Sequence, residues 1–224
     1  MPARLGAVIF DFDGVVFDSE TPEYESHRRL YEACGIALTV DEWCGAIGVW
    51  SADHDDRRFD VLCARAERPP SRDAYHARRH AIFEELAPRD PMPGILDLLA
   101  TLDAANVLTA IASTAPARWV RPAVDRLGLA RRFRAIVTGD DVLRRKPAPD
   151  VYLEAARRIG VEPSRAVAIE DSAPGVAAAR AAGLRVVAIP HWLTATHDLD
   201  AADLQVADAG VLTLDALSAL IVQK

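Results

Sequence analysis

Short apolar runs recur along this chain at a spacing that leaves few folds open to it. Leu5 to Phe12 (LGAVIFDF), Val107 to Ala112, Ala135 to Val137, Ala166 to Ile169 and Leu184 to Ile189 are brief and rich in β-branched residues. That combination predicts fully buried strands rather than helices. Between them lie Ala-, Leu- and Arg-rich stretches of helical pattern, Pro116 to Leu127, Asp150 to Ile159 and Pro174 to Ala182. Pro149-Asp150 opens a helix that Gly160 closes, and Ala173-Pro174 opens one that Gly183 closes. Strand, helix, strand in this order predicts an α/β fold, a doubly wound parallel sheet.

The alternation is interrupted once. After the first strand no strand-like run appears before Pro91-Met92-Pro93-Gly94, and the interval reads as four helices: Thr21 to Cys34, Val40 to Ile47, Asp53 to Arg65 and Arg72 to Leu86, with a break at Arg68-Pro69-Pro70-Ser71. Residues 1–17 and 91–224 are therefore expected to form the core, and residues 18–90 an inserted α-helical domain. Gly94 to Ala105 resumes the core as a helix. A length of 224 residues suits one core domain with a modest insertion.

Charge narrows the partners. A formal net charge of -7 disfavours a polyanionic nucleic acid, because that affinity comes from clustered Lys and Arg. Arg78-Arg79-His80 and Arg131-Arg132 read as solvated helix faces. Met1 to Phe10 lacks the pattern of a signal peptide, and no run approaches the ~20 apolar residues of a membrane span. The expectation is a cytoplasmic monomer with no membrane partner. Cys34, Cys44 and Cys63 match neither a disulfide framework nor a zinc pattern and read as buried thiols.

Ligands of a doubly wound sheet bind outside the carboxyl ends of its strands. Strand one ends in Asp11 and Asp13, strand two in Ser113-Thr114, and strand four in Glu170-Asp171, while the segment after strand three reaches Lys146. In a straight strand Asp11 and Asp13 would share a face and repel. A divalent ion held by Asp11, Asp171 and Glu170 would supply the missing charge, and an all-oxygen site suits Mg2+. Gly14 permits a tight turn in which N–H groups approach an anion. A lone Asp-x-Asp is usually a capped turn. Convergence of a hydroxyl, an ammonium and further carboxylates is not what capping predicts. Among 26 basic residues only Lys146 and Lys224 are lysines. A compact ammonium at Lys146 can bridge a carboxylate and a phosphoryl oxygen where a guanidinium would be bulky.

These residues resemble the haloacid-dehalogenase-like superfamily, in particular its phosphatases and phosphomutases with a Rossmann-like core and a helical cap inserted after the first motif. The resemblance spans essentially the whole chain: DFDGVVFDSE from Asp11 to Glu20, the Ser113-Thr114 strand end, KPAPDVYLEA from Lys146 to Ala155, and EDSAPGVAAARAAG from Glu170 to Gly183. It implies that Asp11 is a nucleophile that becomes a phospho-aspartate, and that Asp13 is the acid/base. It also implies that Mg2+ is held by Asp11, the Asp13 backbone carbonyl, Glu170 and Asp171, and that Gly14, Ser113, Thr114 and Lys146 bind the phosphoryl group. The implied substrate is a small phosphorylated metabolite.

Asp13 argues against the dehalogenases, which lack a carboxylate there, and a lysine-free insert from Thr21 to Pro91 argues against phosphonate-cleaving relatives. β-Phosphoglucomutases share all four motifs. They resemble one another in a His where this chain has Glu23, and in a small residue and Arg where it has Trp50-Ser51 after Gly48-Val49. A phosphatase is the first reading, a mutase the second, and a catalytically silent binding protein the third. Gly48 and Trp50, on the cap loop, are the candidate substrate-selecting positions, a cap-packing aromatic being the other reading of Trp50.

Overall fold

A computed structural model describes residues 4–44 and 54–222. Strands β1 (Ala7–Phe10), β2 (Leu108–Ala112), β3 (Ala135–Val137), β4 (Ala166–Glu170), β5 (Arg185–Ala188) and β6 (Leu204–Gln205) form one sheet, in the order β3-β2-β1-β4-β5-β6. Every pairing is parallel, and β1 at the centre registers Ile9 against Ala110 on one side and Ala168 on the other.

Alternation along the buried strands splits the core into two layers. Val8, Phe10, Ile111, Val167, Ile169 and Val187 face a layer closed by α5 (Ile95–Ala104), α6 (Ala117–Arg126) and α9 (Leu214–Val222). Ala7, Ile9, Ala110, Ala112, Ala168 and Ala188 face α7 (Asp150–Ile159) and α8 (Ala173–Ala181). Alanine predominates on this second face, so α7 and α8 lie close to the sheet. Their ends follow local chemistry: α7 starts with Asp150, carries Arg157 and Arg158 in its last turn and stops at Gly160 with φ 70°, and α8 is capped by the Ser172 hydroxyl accepting from the Gly175 N–H.

The insert comprises α1 (Glu20–Ala33), α2 (Val40–Cys44), α3 (His54–Arg65) and α4 (Arg72–Leu86), with no strand among its described residues. Tyr24, Tyr31, Trp43, Phe59, Leu62, Tyr75 and Ile82 make a hydrophobic cluster separate from the two sheet layers. Strand and helix positions agree with the sequence to within a few residues. Two differences stand out. The first strand stops at Phe10 rather than Phe12, because the chain turns out of the sheet into a loop. Beyond Ile189 the sequence predicts no element, whereas the structure adds β6, too short to register as an apolar run, and α9.

The loop between β5 and β6 reaches from the core into the insert. Leu193 is fully buried in the helical cluster, the Trp192 indole donates to Thr21 Oγ1 at 2.9 Å, and the Cys44 thiol donates to the Leu193 carbonyl at 2.7 Å. No helix among the described residues is long and apolar enough to cross a membrane.

Candidate active site

The loop after β1 is shaped by one glycine. The Asp11 N–H still pairs with the Ile169 carbonyl at 2.9 Å, after which the chain folds back so that the Gly14 N–H donates to Phe17 O at 2.8 Å. Gly14 has φ 78°, and a Cβ there would lie 2.5 Å from Asp171 Oδ2. Glycine is thus needed both for the left-handed turn and for the approach of Asp171. Because the loop turns, Asp11 and Asp13 do not stand side by side as in a straight strand: each carboxylate has its own set of partners.

Asp11 faces the β4 end. Lys146 Nζ lies 2.8 Å from Asp11 Oδ1 and 2.6 Å from Glu170 Oε1, with all three side chains buried or nearly so. Glu170 is fully enclosed: Oε1 also accepts from the Tyr152 hydroxyl at 2.5 Å, and Oε2 from the Asp171 N–H at 3.2 Å and the Ser172 hydroxyl at 3.3 Å. Tyr152, in the first turn of α7, belongs to the KPAPDVYLEA segment, yet nothing in that segment's own pattern singles it out. Glycine is again obligatory beneath this cluster, since a Cβ on Gly175 would sit 2.0 Å from the Glu170 carboxylate. Gly175→Ala should displace Glu170 and lower stability by about 1–3 kcal/mol, the usual range for overpacking. Chemical denaturation checks this, and wild-type stability would contradict it.

Asp13 has a different set of partners. Its Oδ1 accepts from the Ser19 hydroxyl at 2.7 Å and the Trp119 indole N–H at 2.9 Å, and its Oδ2 is 3.4 Å from Ser113 Oγ. Ser113 Oγ also accepts from the Ala115 N–H at 3.0 Å, which fixes the hydroxyl at the strand end. Thr114 is buried beside it, its carbonyl lying against Gly139. Ser19 and Trp119 escape a sequence reading: the first sits in a polar turn, and the second lies on a helix more than a hundred positions from its partner.

Burial dominates the electrostatics. It pushes the Asp11 carboxyl up to about 7, against the pull of Lys146 and with reinforcement from Glu170 and Asp13. Burial, then the charges of Glu170 and Asp11, raise Asp171 well above the carboxylate range. Oxygens of Asp11, Glu170 and Asp171 all lie within 4.8 Å of one another. One ammonium does not neutralise three carboxylates, so the group fits a hard divalent cation with oxygen ligands. Glu20, at the start of α1, is raised to about 8 by burial and then by the charges of Asp13, Glu23, Asp11 and Asp18. A raised acid is stable to folding while protonated and loses that stability as pH climbs from the unfolded value of 4.5 through about 8. Glu20→Gln should therefore raise the melting temperature at pH 9 and leave it unchanged at pH 4. Equal shifts at both pH values would refute this.

The structure brings Asp11, Asp13, Gly14, Ser113, Thr114, Lys146, Glu170 and Asp171 to one end of the sheet. Gly48 and Trp50 lie outside the described residues. Glu23 pairs inside the insert with Arg79 Nη1 at 2.9 Å and His27 Nε2 at 3.3 Å.

Two separately held carboxylates, a buried lysine and an acidic cluster that could hold a cation thus gather at the carboxyl end of a doubly wound sheet. A family model described as haloacid dehalogenase-like hydrolase matches residues 5–183, and the chain belongs to that family. Relatives include the phosphorylated carbohydrates phosphatase of Thermotoga maritima, 32% identical over 84% of this chain and 87% of its own length. The protein CbbY of Rhodobacter capsulatus is 31% identical over 97% and 99%. Among solved structures, CbbY from Rhodobacter sphaeroides in complex with phosphate superposes with a TM-score of 0.73, at 27% identity, covering 97% of this chain and 99% of that one. The chain is a phosphomonoester hydrolase of this family.

Proposed function

We propose that this enzyme is a Mg2+-dependent phosphatase of small phosphorylated metabolites, phosphorylated sugars foremost, acting through a phospho-aspartate at Asp11 with residues 18–90 as its cap. The observation that carries the reading is the division of labour between the two carboxylates. Asp11 is held against Lys146 in the acidic cluster, while Asp13 is held by the neutral donors Ser19 and Trp119. The carbohydrate phosphatase among the relatives supports the substrate class.

Asp11, Asp171 and the Asp13 carbonyl would hold Mg2+, which supplies positive charge against the phosphoryl oxygens. Glu170 would join that set while its oxygens, which already accept from Lys146, Tyr152 and the Asp171 N–H, hold Lys146 in place. In the first step an Asp11 oxygen bonds to phosphorus and the bond to the leaving oxygen breaks, its electron pair taking a proton from Asp13. In the second, water gives a proton to Asp13 as it attacks phosphorus, and the bond to Asp11 breaks to release phosphate. Lys146, the Ser113 hydroxyl and the loop N–H groups neutralise and orient the transferring group.

The test is phosphate release from p-nitrophenyl phosphate with and without Mg2+, followed by a panel of sugar phosphates, glycolytic acids and nucleotides. Mg2+-dependent release with a preference for sugar phosphates is expected. Isomerisation of β-glucose 1-phosphate without free phosphate would replace the phosphatase by a mutase, and no turnover at all would leave a binding protein.

A further inference from the structure

Asp13 is asymmetrically held. Its Oδ1 takes two short hydrogen bonds, from Ser19 and from the indole of Trp119 on α6, whereas among the described residues Oδ2 has only the long contact of 3.4 Å with Ser113. A carboxylate that must move a proton needs one oxygen free to meet the reacting atom and the other anchored, since small errors in position are costly in rate. The anchor here is itself braced. The Trp119 ring lies 6.3 Å from Phe17, in the loop that carries Asp13, and makes an edge contact at 5.4 Å with Phe83 of α4, in the insert. Arg126, about two turns further along α6, stacks over Phe17 at 5.5 Å from the ring centre and reaches Glu84 of α4 at 4.0 Å. Trp119 is thus gripped by the motif loop on one side and the helical insert on the other, and its indole N–H is aimed by that packing.

We propose that Trp119 is the positioning residue of the acid/base: its N–H pins Oδ1 of Asp13, so that Oδ2 is the oxygen that gives and takes the proton. The proposal rests on the reading of Asp13 as the acid/base. Its consequence falls on one chemical event. When the bond from phosphorus to the leaving oxygen breaks, a poor leaving group needs the Asp13 proton, whereas nitrophenolate departs without it. A residue that only supports the fold would affect both leaving groups alike.

The experiment compares kcat/KM for p-nitrophenyl phosphate and phenyl phosphate, two substrates of similar shape, in wild type, Trp119→Phe and Asp13→Asn. The parameter reports steps up to leaving-group departure, and the ratio of the two values cancels any inactive fraction of a variant. Asp13→Asn should lose much more activity toward phenyl phosphate than toward p-nitrophenyl phosphate. Trp119→Phe, which keeps an aromatic ring but no N–H, should show the same imbalance at about tenfold, within the share of rate that acid catalysis supplies. If Asp13→Asn is unbalanced and Trp119→Phe loses both substrates equally, or neither, the positioning role is wrong and the acid/base reading stands. If Asp13→Asn itself shows no imbalance, the acid/base reading fails and the proposal with it.

Discussion

Asp11→Asn is expected to abolish Mg2+-dependent phosphate release, with kcat reduced by roughly 10^4-fold or more, as when a covalent nucleophile is removed elsewhere. The amide is nearly isosteric but neither attacks phosphorus nor offers a full anionic ligand. The same substitution should not unfold the protein. Burial holds the Asp11 carboxyl up near 7, so in the metal-free enzyme its ionisation opposes folding. Between the unfolded value of 3.8 and about 7 the folded chain binds more protons than the unfolded one, so stability falls as pH rises across that window. A neutral Asn is free of this penalty, so the variant should gain relative to wild type between pH 4 and pH 8. Phosphate assays and melts at the two pH values check both halves. Undiminished turnover would remove Asp11 from the mechanism.

Lys146→Met should produce the second large effect, and on stability as well as rate. The ammonium lies within 2.8 Å of Asp11 and 2.6 Å of Glu170, with its side chain 2% exposed and that of Glu170 fully enclosed. Breaking a buried pair by removing one partner leaves uncompensated charge and costs about 3–5 kcal/mol. Here it would leave Asp11, Glu170 and Asp171 together without their cation. Interaction with these carboxylates raises the Lys146 ammonium above its ordinary value despite burial, so its contribution is fully present at neutral pH. The deficit of the variant should be smallest in acid, where the raised carboxyls of Asp11 and Asp171 take up protons, and largest near pH 8. Mg2+ should restore part of the stability by replacing the charge, but not the activity, because in the proposed mechanism the phosphoryl group would lose its ammonium contact. Denaturant titrations with and without Mg2+ measure this, and wild-type stability of the metal-free variant at pH 8 would contradict the assigned role.

The sheet was legible because its signal is local. Ala166 to Ile169 and Asp150 to Ile159 announce strand and helix by composition, length and end residues, and the structure places both there. The convergence of the strand ends was legible for a related reason: parallel strands all point their carboxyl ends one way, so Asp11, Ser113 and Glu170 come to one edge wherever the sheet forms. The partners of those residues were not legible. Trp119 reads as one apolar face of an amphipathic helix, Tyr152 as a core tyrosine, and Ser19 as a turn residue, and each acquires its role from an atom supplied by another part of the chain.

The β5–β6 loop makes the same point at larger scale. Leu193 looks like any loop leucine, yet it completes the hydrophobic cluster of the insert and ties it to the core. By itself, then, the sequence determined the parallel sheet, the helical insert and the set of chemical groups gathered at one sheet end, because periodicity and strand direction are properties of the chain read in order. Only the tertiary structure decided that Asp11 and Asp13 have separate partners, that Glu170 is bound to Lys146 and Tyr152, and that Trp119 grips Asp13. Hydrogen bonds and buried ion pairs depend on distances of a few ångströms between distant segments, and those distances are fixed by packing, which no local pattern encodes.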